Sequence, residues 1–283
     1  MAEASFILSA FGDEISADLN EQLATLNTLH VRYLDLRGAW GKNVLRMEDS
    51  DLGQVTKLCE AHAVKIGCLG SPIGKSPIIE PIAYELSNLQ RLIKVGDVVG
   101  CRNIRIFSFY PPDTSTNEHY DQYVGESIGR MQALTELAAK EGFTLLLENE
   151  KGIVTDTLAR SERVIKGVDH ASLRFLWDSA NFIQVGEAKV VERGWPLLKD
   201  YIGAVHIKDA VLADGHVVAA GEGDGQLPLL LSLLKGEGFQ GFLTLEPHLK
   251  VAGHSTGFTG PELMAYAVKA LRQVMADTGC VEV

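Results

Sequence analysis

Four side chains able to hold a hard metal ion close four short apolar runs in the second half of the chain. Leu145-Leu146-Leu147 ends on Glu148, and Leu173-Arg174-Phe175-Leu176-Trp177 ends on Asp178. Ala204-Val205 ends on His206, and Phe242-Leu243-Thr244-Leu245 ends on Glu246. An acid at the tip of a buried strand is costly unless a cation compensates it. Brought together, three carboxylates and one imidazole form an oxygen-rich set suited to one divalent ion, Mn²⁺ first, with Mg²⁺, Co²⁺ or Zn²⁺ also compatible. With no cation nearby they would repel, and at least one would keep a proton. A strand-end acid by itself more often bonds a loop; recurrence in four successive units is what makes the set a metal site.

Such a set needs a fold that gathers strand ends at one mouth. Apolar runs recur roughly every 30 to 40 residues, the length of one strand-helix unit in a closed eight-fold barrel. The strands expected are 6–10, 32–36, 64–69, 103–107, 143–147, 173–178, 203–207 and 241–245. Between them, helical spacing predicts helices near 16–30, 49–62, 82–99, 118–141, 155–166, 187–201, 227–235 and 261–275. Ser16 reads as the N-cap of the first, and Pro196 as an interruption of the sixth. Polar residues gather after the strands, and no linker divides the chain. The fold class is therefore α/β, a single (β/α)8 TIM barrel over residues 1–283, in preference to an open doubly wound sheet.

Composition narrows the function classes. The 283 residues are 46% hydrophobic and 22% charged, an ordinary composition for a globular protein with a large core. Formal net charge is −11 with no basic run, which argues against nucleic acid as a partner. No basic leader precedes the first apolar stretch, and no apolar run reaches a membrane span, so a cytoplasmic, membrane-free protein is expected. Cys59, Cys68, Cys101 and Cys280 lack metal-binding spacing and are expected as reduced, inert thiols.

Several segments, in order, resemble the xylose isomerase-like barrel superfamily. They are Leu147-Glu148-Asn149-Glu150, Trp177-Asp178-Ser179-Ala180-Asn181-Phe182, Val205-His206-Ile207-Lys208-Asp209, Gly221-Glu222-Gly223-Asp224-Gly225 and Leu245-Glu246-Pro247-His248. The superfamily holds sugar and sugar-phosphate isomerases and epimerases, inosose dehydratases and endonucleases of the endonuclease IV type. The resemblance implies that Glu148, Asp178, His206 and Glu246 ligate one divalent cation. It also implies a small carbohydrate substrate and, since relatives pair or form tetramers, a homo-oligomer.

Two oxygens of a ketose on such a metal acidify the intervening C–H and stabilise an enediolate, with Glu148 and Glu246 as paired base and acid. Epimerisation, isomerisation and dehydration share this start. The expectation is a metal-dependent sugar isomerase or epimerase. The alternatives are a lyase acting on a keto-inositol or 3-keto glycoside, and a non-catalytic sugar-binding barrel. Asn181 stands where many ketose 3-epimerases have histidine, and Lys208-Asp209 where they tend to have arginine nearby, which counts against a free-ketose 3-epimerase. The endonuclease branch needs histidines after strands three and four, where this chain has Ser71-Pro72-Ile73 and Phe109-Tyr110-Pro111.

Further candidates for substrate binding are Arg37, Lys75, Glu150, Asn181, Lys208 and His248. Arg37 reads either as an anion clamp or as the partner of Asp35, and Lys208 as a substrate contact, a proton donor or the partner of Asp209. His248 reads as a substrate contact or as support for a ligand carboxylate. Phe11 and Trp40 are candidates for an apolar wall, and the glycine-rich 221–225 segment for a mobile loop over the mouth. Gly236 to Gly241 matches a dinucleotide fingerprint by letters, but it closes a helix and opens a strand, so it is read as a turn.

Overall fold

The computed structural model describes residues 3–113, 116–249 and 259–283. Eight parallel strands close into a barrel in chain order: β1 (Ser5–Phe11), β2 (Tyr33–Leu36), β3 (Lys65–Leu69), β4 (Asn103–Ile106), β5 (Thr144–Glu148), β6 (Leu173–Asp178), β7 (Ile202–Ile207) and β8 (Gln240–Leu245). β8 closes the ring on β1 with Ser5 opposite Gln240 and Ala10 opposite Leu245. Around the barrel lie α1 (Leu19–Thr28), α2 (Asp49–His62), α3 (Ile82–Val99), α4 (Val124–Lys140), α5 (Leu158–Val168), α6 (Val190–Leu198), α7 (Leu227–Gly236) and α8 (Pro261–Thr278). Among the described residues no helix is long and apolar enough to cross a membrane. All four cysteines are buried and free.

Strand alternation divides the core in two. Leu145, Leu147, Phe175, Trp177 and Val205 pack outward with the helices. Leu146, Leu176 and Ala204 pack with Cys68 and Phe242 in a separate small cluster inside the barrel. Two residues further along the same strands come Glu148, Asp178 and His206, so period two carries them inward one layer above that apolar plug.

Local chemistry revises several expected boundaries. The first helix begins at Leu19, because Asp18, not Ser16, accepts the backbone N–H of Glu21 at 3.1 Å. Ser16 instead donates to the Glu21 carboxylate at 2.5 Å. The expected 118–141 helix is two pieces, Asn117–Asp121 and α4, separated by Gln122 and Tyr123. Pro196 does not interrupt α6, which runs on to Leu198. Its missing N–H would have served the carbonyl of exposed Glu192, only two residues before the helix ends. A short helix, Ser179–Ile183, follows β6 unannounced. Gly236–Gly241 is the turn between α7 and β8.

Candidate metal centre

The ends of β5 to β8 place Glu148, Asp178, His206 and Glu246 together, with one donor atom from each within 4.8 Å of the others and all four residues buried. His206 Nδ1 faces all three carboxylates: Glu148 Oε1 at 3.1 Å, Glu246 Oε2 at 3.4 Å and Asp178 Oδ2 at 4.0 Å. The edge of the Phe11 ring packs against the imidazole, with centroids 5.2 Å apart. One carboxylate oxygen of Asp178 is spoken for: Oδ1 accepts the Asn181 N–H at 2.9 Å and starts the short helix. The other, Oδ2, is left for the centre.

Asparagines fix the frame. Asn149 donates Nδ2–H to the Asp178 carbonyl and accepts the Asp178 N–H, both at 2.9 Å, tying the end of β5 to the end of β6. Asn181 is buried, and its amide donates to the Asn149 carbonyl at 2.9 Å and to Glu148 Oε1 at 3.3 Å. Those bonds make it a support for Glu148. It does not line the cavity at the mouth.

Cations surround the carboxylates. Lys208 Nζ lies 2.8 Å from Asp178 Oδ2 and 3.3 Å from Glu246 Oε2. Asp209, its expected partner, turns away and accepts the N–H groups of Gly221 (3.0 Å), Gly223 (3.2 Å) and Gly225 (2.8 Å). That grip anchors the glycine-rich segment, contrary to its reading as a mobile loop. A Cβ at Gly223 would lie 2.5 Å from Asp209 Oδ1, so the close approach requires glycine. Arg37 does not pair with Asp35. Its guanidinium meets Asp13 at 2.8 Å, Glu14 at 2.8 Å and Glu246 at 2.7 Å, which occupies all three of its nitrogens. His248 Nε2 lies 3.3 Å from Glu246 and 3.4 Å from Glu14.

Lys75 pairs with Glu150 at 3.0 Å in the loops after β3 and β5. Phe11 is wholly buried under the Arg37 and Arg105 guanidiniums and offers no open wall. Trp40 packs against the core with a left-handed backbone. His216 sits exposed beside Asp214 in the hairpin after β7.

Arg105 went unread in the sequence. It points into the barrel from the middle of β4, 3.3 Å from Glu148 Oε2 and 3.8 Å from Glu246 Oε1. A lone cation between Ile104 and Ile106 in a buried strand was the available signal. Asp35 was treated only as a partner for Arg37, yet it is buried inside the barrel and accepts from Thr244 Oγ1 at 3.0 Å.

The electrostatics follow from this packing. Burial alone would raise Glu246, but Lys208, His248 and His206 outweigh it and hold the carboxyl well below the usual range. Burial pushes Asp178 up to about 6 despite Lys208. Burial disfavours imidazolium at His206, yet Glu148 and Glu246 raise it to about 9. The site is thus a ring of carboxylates whose charge is met by a proton on His206 and the Lys208 ammonium. A divalent cation fits this set: the donors are hard oxygens and one imidazole nitrogen, converging within one coordination sphere.

A family model described as xylose isomerase-like TIM barrel matches residues 31–274, and the chain belongs to that family. Among solved structures, a D-tagatose 3-epimerase-like protein aligns with TM-score 0.76 at 14% identity, over 96% of this chain and 98% of that one. A probable 3-DHS dehydratase from Bacillus anthracis aligns with TM-score 0.69 at 16% identity, over 95% and 98% of the two chains. A xylose isomerase-like TIM barrel protein from Mycobacterium smegmatis in complex with magnesium aligns with TM-score 0.69 at 15% identity, over 98% of each. At these identities the likeness speaks for the fold. No curated protein matches the chain by sequence.

Proposed function

We propose that this protein is a divalent-metal-dependent isomerase or epimerase of a sugar or sugar derivative. The observation that carries the reading is that two glutamates, Glu148 and Glu246, converge on His206 Nδ1 at 3.1 and 3.4 Å in one buried cluster. Glu148, Asp178, His206 and Glu246 would hold the ion, which supplies a Lewis acid that makes a C–H beside a carbonyl acidic.

The chain's own groups move the proton. One of the two glutamates takes it from carbon. Returning it from the same carboxylate to the neighbouring carbon, while the hydroxyl proton passes from one substrate oxygen to the other, gives an isomer; delivering one from the other glutamate to the opposite face of the same carbon gives an epimer. In the second case the delivering carboxylate must carry a proton before the step, taken up from solvent through the mouth; the Lys208 ammonium, 3.3 Å from Glu246 Oε2, instead steadies the ionised form of Glu246. Arg105 and Asn181 hold Glu148 in place, and Arg37 and His248 do the same for Glu246.

A lyase is the second reading, supported by the shared fold of the dehydratase. Loss of a β-hydroxyl after the same proton abstraction needs an acid beside the leaving oxygen, and Lys208 would serve there. Incubation of manganese-loaded protein with candidate sugars in D₂O separates the two. Deuterium at carbon without loss of water is the expected result. A new conjugated-carbonyl absorbance would transfer the assignment to the lyase, and neither signal with any sugar would leave a binding protein.

A further inference from the structure

The cavity above the centre, about 160 Å³, has a charge balance opposite to that of the chain. Among the described residues, Arg37, Lys75, Arg105, Lys151 and Lys208 line it against the carboxylates Glu150 and Glu246, in a protein whose net charge is −11. Not all these cations are free to meet a ligand. Arg37 is engaged by Asp13, Glu14 and Glu246, and Arg105 faces Glu148 and Glu246.

Lys75 and Lys151 are different, because they share one carboxylate. Lys75 Nζ is 3.0 Å from Glu150 Oε2 and Lys151 Nζ is 3.6 Å from Glu150 Oε1. The Lys151 ammonium also donates to Gln184 Oε1 at 2.5 Å, a neutral partner. Lys208 is paired with Asp178 and Glu246, the carboxylates assigned to the metal. A cation held by those oxygens competes with the ammonium for them. Lys75, Lys151 and Lys208 then line the cavity with Glu150 as the one lining carboxylate not assigned to the metal, which leaves positive charge facing the cavity.

We propose that the substrate carries an anionic group, a carboxylate or a phosphate, which binds in this cavity against Lys75, Lys151 and Lys208 beside the metal ligands. The sugar part of that description rests on the function proposed above; the preference for an anion rests on the lysines. Glu150 keeps the Lys75 and Lys151 ammoniums together and competes with the ligand for them. Removing it therefore strengthens anion binding, whereas removing a lysine weakens it.

Calorimetric titration of the manganese-loaded protein with D-fructose, D-fructose 6-phosphate and 2-keto-D-gluconate tests this. At least one of the two anions should bind about tenfold or more tightly than fructose, with an advantage that shrinks as salt is added. The phosphate and carboxylate arms show which anion the cavity takes. Glu150→Gln should tighten the preferred anion, and Lys75→Met and Lys151→Met should each loosen it by about fivefold, with fructose unchanged. Opposite signs in these variants cannot come from misfolding, and melting curves check each one. Equal or tighter binding of fructose, failure of both anions to bind at about 10 mM, or no gain with Glu150→Gln would overturn the proposal. Absence of deuterium exchange in the turnover assay would remove the isomerase reading and leave this binding series intact.

Discussion

Asp35 shows how one buried residue can set a pH dependence away from the surface. Burial raises its carboxyl from 3.8 to about 6, against the hydrogen bonds from Ser9 and Thr244 and the charges of His206 and Arg105. The folded chain therefore keeps a proton that the unfolded chain releases near pH 4. The Asp35 contribution to stability falls as pH rises from about 4 to about 6 and is level above, with a total cost of about 3 kcal/mol. Asp35→Asn should raise the melting temperature at pH 7 to 8, and the gain should vanish below pH 4. A gain independent of pH would show that the carboxyl is already ionised throughout.

At the same scale, Asn181→Ala removes the amide that spans Glu148 and the Asn149 carbonyl and leaves both acceptors buried. About 1 to 3 kcal/mol of stability should be lost, as read by denaturant unfolding. The four strand-end residues were legible because each follows an uninterrupted apolar run. Their partners were not: Arg37 and Glu246 lie 209 positions apart, and nothing in either neighbourhood names the other. The Arg37–Asp35 and Lys208–Asp209 pairings failed for a related reason. Neighbours along a strand point to opposite faces, and two-residue spacing does not ensure contact when a nearer carboxylate is available across the barrel.

At the level of elements, the barrel strands and most helices were readable because alternation and helical periodicity are local signals. α2 and α3 occupy the expected residues, 49–62 and 82–99. What escaped were features decided by a single hydrogen bond, such as the Asp18 cap and the short helix that Asp178 begins. The glycine-rich segment after the β7 hairpin also escaped, though three hydrogen bonds decide it. It holds its shape by wrapping its amides around Asp209, where a Cβ at Gly225 would come within 2.6 Å of Asp209 Oδ1 and 2.8 Å of Ser179 Cβ. Gly225→Ala should therefore cost about 1 to 3 kcal/mol and lower the melting temperature by several degrees. An unchanged melting curve would mean that the segment can move away freely.

For the whole molecule, the barrel explains how strands far apart in sequence supply one centre, and why an acidic chain carries a cationic cavity at its mouth. The central claim is that Glu148, Asp178, His206 and Glu246 hold one divalent ion. Metal bound to the folded state alone stabilises it by mass action, about 2.7 kcal/mol at a hundredfold excess over the dissociation constant. Chelation should accordingly lower the melting temperature of the wild-type chain and leave His206→Ala unaffected. The most direct measurement is elemental analysis of protein expressed with manganese and freed of loosely held ions. About one ion per chain is expected, falling towards none in His206→Ala and Glu246→Gln. Undiminished metal in both variants, or none in a folded wild type supplied with manganese, would contradict the four-residue centre.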